Sequence, residues 1–153
     1  TELGLNVQED EVIRCNSSGL VIYNPKNLAD AIQIAPFHRW LGLKIVQQNN
    51  DQLELEMPWR DELVSNPVIG AVHGGILASL IDLTGLYAII AAGGIAKATV
   101  DLRVDYHRAA TNGPLRAIGQ VVKLGKTIST ADTRIIDDHD RLVASGRGTY
   151  LGT

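Results

Sequence analysis

Residues 71–94 form an almost continuously apolar segment that carries one charged residue, Asp82, near its middle. A segment of this length could cross a bilayer, but a charge at the centre costs roughly 2.5 to 3.5 kcal/mol on insertion scales. Glycines crowd both ends, and no Lys or Arg cluster lies beside the segment to set an orientation. We therefore predict a buried helix and no membrane span.

Length, cysteine content and charge narrow the class of protein. The chain has 153 residues, enough for one domain with its own core. The single cysteine, Cys15, cannot form an internal disulfide, so we expect a reducing compartment, the cytoplasm. The net charge of −3 argues against a nucleic-acid partner. Residues 96–153 are mildly basic, with nine Lys and Arg against six Asp and Glu, which suits a small polyanion.

Strand patterns flank the apolar helix on both sides. A short helix is predicted over 27–35, which Pro36 helps to end, and a loop over 58–70. "FHRWLG", which follows Pro36, is aromatic and expected to pack in the core. Alternating side chains and turn residues predict six strands, over 43–48, 52–57, 99–106, 115–124, 127–136 and 141–151.

The strand after the helix alternates strictly between apolar and polar residues. Val100, Leu102, Val104 and Tyr106 fall on one face, and Thr99, Asp101, Arg103 and Asp105 on the other. The last four strands follow one another through turns such as "TNGP", so we expect four hairpin-linked antiparallel strands. The predicted class is α+β, with an antiparallel sheet wrapped around one long helix and a second subunit covering what remains exposed.

Small residues dominate the face of the helix that carries Asp82. At about 100° per residue, that face holds Gly75, Ala78, Ser79, Gly85, Leu86 and Ile89. Such a stripe leaves room for another backbone or a ligand to approach. A buried carboxylate must be paired or neutralised. Asp82 is therefore either a satisfied core acid or a functional group, and the stripe favours function.

His73, Gly74 and Gly75 stand where the helix is expected to begin. Unpaired backbone N–H groups at a helix start can polarise a carbonyl and hold an oxyanion. These donors and Asp82 are about 12 Å apart along the helix axis. One carbonyl cannot touch both on a single helix. Either the acid acts through water, or the donor and the acid that meet belong to different subunits.

The stretch "NPVIGAVHGGILASLIDLTG" resembles the signature of the hotdog-fold acyl-CoA thioesterases, in particular the PaaI-like (phenylacetate-pathway) group. The resemblance continues through "ATVDLRVDYHRAA", "GKT" and "DDHDRLVASGRGTY". It implies an N-terminal extension over 1–36 and a hotdog domain over 37–153. It also implies homodimers or dimers of dimers, a sheet continuous across two subunits, and active sites at the subunit interface.

The resemblance also implies roles for particular residues. Asp82, nine residues after His73, would be the nucleophile or the general base that activates water. Gly74 would give the N–H that polarises the thioester carbonyl, and Gly75 would contact substrate. Asn66 would help to place the carbonyl or the water, His73 would support the helix start, and Thr99 would orient water near Asp82.

The expected substrate is an acyl-CoA, and coenzyme A is part of that substrate, so no separate cofactor is expected. Arg108, Lys123 and Lys126 are candidates for binding its phosphates. No metal site is expected, because the four histidines are scattered and there is one cysteine. Two alternatives stay open: a non-catalytic acyl-CoA or lipid-binding hotdog module, and a hotdog enoyl-thioester hydratase or dehydratase.

Overall fold

The computed structural model of the chain describes residues 13–15, 21–23 and 27–152. Its architecture is the expected one: a six-stranded antiparallel sheet wrapped around a single long helix. In chain order, the elements before the long helix are β1 Ile13–Cys15, β2 Val21–Tyr23, α1 Leu28–Ile32, α2 Pro36–Leu41, β3 Lys44–Gln48, β4 Gln52–Met57, a 3-10 turn Asp61–Leu63, β5 Val64–Asn66 and β6 Ala71–Val72. The remaining elements are α3 Gly74–Ala91, β7 Ala98–Tyr106, β8 Leu115–Lys123, β9 Ile128–Ile136 and β10 Leu142–Leu151.

The long helix α3 is the core of the molecule. It is long and apolar enough to span a membrane by length and composition, but it packs against β4, β7, β8, β9 and β10 instead. Leu80, Ile81 and Ile89 are almost completely buried against the sheet. The apolar character of 71–94 therefore reflects burial inside the fold.

The order of the strands differs from the expected chain of four hairpins. The large sheet runs β3-β4-β8-β9-β10-β7, so β7 pairs with β10 at an edge and does not pair with β8. The connection over 107–114 runs from β7 at the edge of the sheet to β8 in its middle. The turn residues in "TNGP" lie in this connection directly before β8 and do not make a hairpin. β8, β9 and β10 are consecutive antiparallel neighbours, as expected.

A β-bulge interrupts β7 near its start. Asp101 pairs with Thr149 and Thr99 pairs with Tyr150, so Val100 is the extra residue. One extra residue reverses the face to which the preceding side chains point. The strict alternation expected for β7 is therefore wrong at Thr99, which lies on the helix side of the sheet.

The segment before β3 holds two short helices where one was expected. α1 ends at Ile32, and Pro36 is the first residue of α2, a position that favours proline. Phe37 and Trp40 on α2 are stacked on each other and are 42% and 38% exposed, so the expected core packing of these rings is wrong. The predicted domain division between residues 36 and 37 stays a prediction, although Leu28 and Ile32 of α1 belong to the same apolar core as α3.

Candidate active site

The start of α3 is organised by His73. This residue is the N-cap, and its Nδ1 accepts a 2.8 Å hydrogen bond from the Gly75 N–H. The His73 carbonyl accepts the N–H groups of Ile76 and Leu77. In the ordinary pattern, four N–H groups at a helix start have no partner within the helix, here those of His73, Gly74, Gly75 and Ile76. Three of them are occupied, since the His73 N–H donates to the Leu63 carbonyl.

The Gly74 N–H is the donor that remains. Among the residues that the structure describes, none accepts a hydrogen bond from this group. Gly74 is half-buried, so a ligand can still approach it. A free N–H at the positive end of a helix dipole is suited to stabilise a developing oxyanion. The geometry favours Gly74 over Gly75 as the donor, because the Gly75 N–H is bonded to His73.

Asp82 lies two turns further along α3 and is half-buried in one protomer. Thr99 Oγ1 donates a 2.6 Å hydrogen bond to Asp82 Oδ1. This contact depends on the bulge at Val100, since regular alternation would point Thr99 away from the helix. The carboxylate is thus held by a side chain from the strand that follows the helix. The role that the resemblance implied for Thr99, orienting water near Asp82, stays a prediction.

Tyr150, the cross-strand partner of Thr99, supports the same turn of α3. Its hydroxyl donates a 2.8 Å hydrogen bond to the backbone carbonyl of Asp82. Burial raises the pKa of Tyr150, and the charge of Asp82 adds to the effect, so the hydroxyl stays protonated and remains a donor. No sequence signal marked this residue as part of the site.

Part of the small-residue stripe is explained by Tyr150. A Cβ at Gly85 would lie 2.3 Å from the Tyr150 hydroxyl, so the glycine makes room for that ring and leaves no ligand space there. Gly75, Ser79, Asp82 and Leu86 form the part of the stripe that the sheet leaves uncovered. This surface ("the open stripe") is where another molecule can reach the acid.

Asn66 lies on the loop before α3, at the end of β5. It is exposed, and its Oδ1 accepts a 3.1 Å hydrogen bond from the Val68 N–H, forming a local turn. The structure does not bring Asn66 into contact with Asp82 through any hydrogen bond in the described residues. Its predicted role in placing the carbonyl or the water stays a prediction.

The three candidate phosphate-binding cations lie at two ends of the sheet. Lys123 is level with Asp101 across the paired strands, and Lys126 lies in the following turn. Arg108 lies just beyond the end of β7 and seven residues after Asp101, about 23 Å away in an extended chain. All three are exposed. A single phosphate therefore cannot contact Arg108 and Lys123 of one protomer together.

Tyr106 is a further neighbour of the helix start that the sequence did not indicate. Its hydroxyl donates a 2.8 Å hydrogen bond to the Gly74 carbonyl. A Cβ at Gly74 would lie 3.3 Å from the Tyr106 ring, closer than ordinary contact. β7 therefore touches α3 twice, through Thr99 at its start and Tyr106 at its end.

The β9–β10 turn brings together Asp137, Asp138 and His139 with ligand atoms close enough to hold a metal ion. However, Asp137 accepts hydrogen bonds from the His139 and Arg141 N–H groups and from Arg141 Nε. Burial opposes ionisation of this carboxyl, but these hydrogen bonds outweigh it and hold its pKa below the ordinary value. Asp137 thus builds the turn, and its oxygens are already occupied.

The fold and this arrangement match one family of known proteins. The thioesterase superfamily model matches residues 69–144, which include α3 and most of the strands after it. A crystal structure of a protein from the thioesterase superfamily is 43% identical, covers 85% of this chain and 98% of its own, and has a TM-score of 0.79. This chain belongs to the thioesterase superfamily.

Two further comparisons place this thioesterase among characterised relatives. The Escherichia coli PaaI protein from the phenylacetic acid degradation operon is 25% identical, with a TM-score of 0.76, over 85% of this chain and 94% of its own. The Escherichia coli protein YigI, a medium/long-chain acyl-CoA thioesterase, is 24% identical over 76% of this chain and 84% of its own. The hotdog fold and the PaaI-like resemblance are confirmed, and the chain is a thioester hydrolase.

Proposed function

We propose that this thioesterase hydrolyses acyl-CoA to a free acid and coenzyme A, with Asp82 as general base and the Gly74 N–H as oxyanion donor. The proposal rests on the presence of two groups on α3: a free N–H at the start of the helix, and a carboxylate that Thr99 holds in place. The similarity to an acyl-CoA thioesterase, YigI, supports the choice of coenzyme A as the thiol.

The chemistry needs only these two groups because a thioester is already an activated acyl donor. Asp82 takes a proton from water, and the water oxygen attacks the thioester carbonyl carbon. The carbonyl oxygen gains negative charge, which the Gly74 N–H stabilises. When the tetrahedral intermediate collapses, the carbon–sulfur bond breaks and the thiolate of coenzyme A leaves, taking up the proton from Asp82. Thr99 occupies Oδ1, so Oδ2 is the oxygen that we assign to the water.

We propose further that the two groups acting on one carbonyl come from two protomers. Gly74 and Asp82 are on the same helix, about 12 Å apart along its axis. β7 lies at the edge of the sheet, and its Val100 and Tyr106 are 57% and 56% exposed. An open edge strand with exposed apolar side chains is a ready pairing surface. Pairing of two β7 strands would place the open stripe of each protomer against the other.

The proposed dimer bears on the three candidate phosphate-binding cations. In a dimer, Arg108 of one protomer and Lys123 or Lys126 of the other are free to act on one coenzyme A.

The single cysteine, Cys15, fits a reducing compartment, and we infer a cytoplasmic enzyme.

Release of free thiol from a panel of aryl, short-chain and long-chain acyl-CoAs tests the proposed function. We expect Asp82→Asn to lower kcat by about 10²- to 10⁴-fold with an unchanged melting temperature. Asp101→Asn is the matched control, because Asp101 is an exposed carboxylate on the outer face of β7, and should retain wild-type kcat. Full activity of Asp82→Asn would refute the assignment.

Two further readouts separate the alternatives. Water addition to an enoyl-CoA in the same panel would indicate a hydratase. A single turnover in ¹⁸O-labelled water that leaves the label on Asp82 would indicate a covalent anhydride in place of general-base catalysis.

A further inference from the structure

The peptide between Gly74 and Gly75 is held at both of its polar ends. Its carbonyl, on Gly74, accepts the Tyr106 hydroxyl at 2.8 Å. Its N–H, on Gly75, donates to His73 Nδ1 at 2.8 Å. A peptide unit is planar, so bonds at both ends fix its rotation about the line joining the two Cα atoms.

Two consecutive glycines need such restraint. Glycine has the widest backbone freedom of any residue, and the N–H groups of the first helical turn have no partner within the helix. The carbonyls of the first peptides of α3 accept N–H groups of the next turn, but their N–H ends are held only by bonds from outside this pattern, so these peptides can tilt when such bonds are lost. A tilting peptide would spread the Gly74 N–H over many directions and weaken its action on one oxygen.

The peptide before Gly74 is fixed as well. It carries the His73 carbonyl, which accepts the Ile76 and Leu77 N–H groups, and the Gly74 N–H itself. Because the peptide planes on both sides of Gly74 are held, the free N–H of Gly74 points in one direction. The Tyr106 ring lies against Gly74 and closes that side of the glycine, because a Cβ there would be only 3.3 Å from ring atoms.

We propose that Tyr106 is a positioning residue of the active site, which together with His73 clamps the Gly74–Gly75 peptide and so aims the Gly74 N–H at the thioester oxygen. Tyr106 does not touch the substrate in this role and acts through the backbone of Gly74. Because it lies on β7 together with Thr99, one strand fixes the direction of the donor and the orientation of the acid. This inference rests on the proposed thioesterase mechanism for its effect on rate, but the clamp itself does not.

Tyr106→Phe tests the clamp because it removes only the hydroxyl and keeps the ring against Gly74. We expect kcat for acyl-CoA hydrolysis to fall about ten-fold with KM nearly unchanged, less than the 10²- to 10³-fold expected for loss of an oxyanion donor. In ¹⁵N NMR spectra, the amide signals of Gly74 and Gly75 should shift, and hydrogen exchange at Gly75 should quicken about five- to ten-fold.

Tyr87→Phe is the matched control. Tyr87 is on α3, thirteen residues after Gly74 and about 20 Å along the helix, and its ring packs edge-on against His38. It should retain wild-type kcat and wild-type exchange at Gly75. Tyr106→Ala, which also removes the ring, should lower kcat at least as far as Tyr106→Phe.

The outcomes separate this inference from the proposed function. If the wild-type chain hydrolyses thioesters and Tyr106→Phe keeps full kcat, the positioning role is refuted. If the wild-type chain hydrolyses no thioester, the proposed function fails and amide exchange decides the clamp alone. Unchanged Gly74 and Gly75 signals in Tyr106→Phe would then overturn it, and faster Gly75 exchange would support it.

Discussion

The two half-sites on α3 are built by different means. The donor half-site (His73, Gly74 and Gly75) consists of backbone groups and one neighbouring ring, all within three residues. The acid half-site (Asp82 and Thr99) joins side chains that are seventeen residues apart. A backbone donor has no rotamer of its own, whereas the position of the acid's partner depends on the register of a strand. Substitutions should therefore damage the two half-sites in different ways.

Removing the donor should have the largest effect among substitutions that leave Asp82 in place. Gly74 is the first residue of α3, a position that tolerates proline, and proline has no N–H. We expect Gly74→Pro to lower kcat about 10²- to 10³-fold relative to Gly74→Ala, measured by thiol release. Gly74→Ala adds the same Cβ against Tyr106 but keeps the N–H. Equal kcat for the two variants would show that this N–H is not the oxyanion donor.

Combining the two defects tests whether the half-sites meet across subunits. A dimer with Gly74→Pro in one protomer and Asp82→Asn in the other has one site with both defects and one with neither, if donor and acid come from different chains. Such heterodimers can be purified through a different affinity tag on each protomer. We expect them to recover about half of wild-type kcat per dimer, while the homodimers of Gly74→Pro and of Asp82→Asn stay nearly inactive. Recovery of no activity would place donor and acid in the same protomer, with water between them.

The donor half-site was largely predictable from sequence because it is local. "HGG" before an apolar run indicates a helix start, and the structure begins α3 at Gly74 with His73 as cap. The bounds of all six predicted strands agree with the structure within one residue at each end, since alternation and turn residues are also local signals. Only the family resemblance named Gly74 as the donor. The residue pattern alone could not show which of the two glycines keeps a free N–H, because that depends on the tautomer and rotamer of His73.

In the acid half-site, Asp82 was singled out from the residue pattern, but Thr99 was named only through the family resemblance, and for a physical reason. Strict alternation placed Thr99 on the wrong face, because no residue in the sequence marks the bulge at Val100. The predicted pairing of β7 with β8 was also wrong, because local turn residues cannot show whether the strand pairs with β8 or with β10. Tyr106 and Tyr150 reach α3 over 32 and 68 residues, distances at which a single sequence holds no pairing signal.

Substitution of Thr99 should have the smallest effect on kcat, and it tests how the acid half-site is held. Thr99→Val keeps the shape of the side chain and removes the hydroxyl that holds Asp82 Oδ1. The carboxylate keeps its charge but loses one fixed direction, so we expect kcat to fall about ten-fold, with a much smaller change in KM. Thr99→Ser keeps a hydroxyl and should retain most of the wild-type kcat. If Val and Ser behave alike, the hydroxyl does not orient the acid, and the bulge at Val100 serves packing of β7 instead.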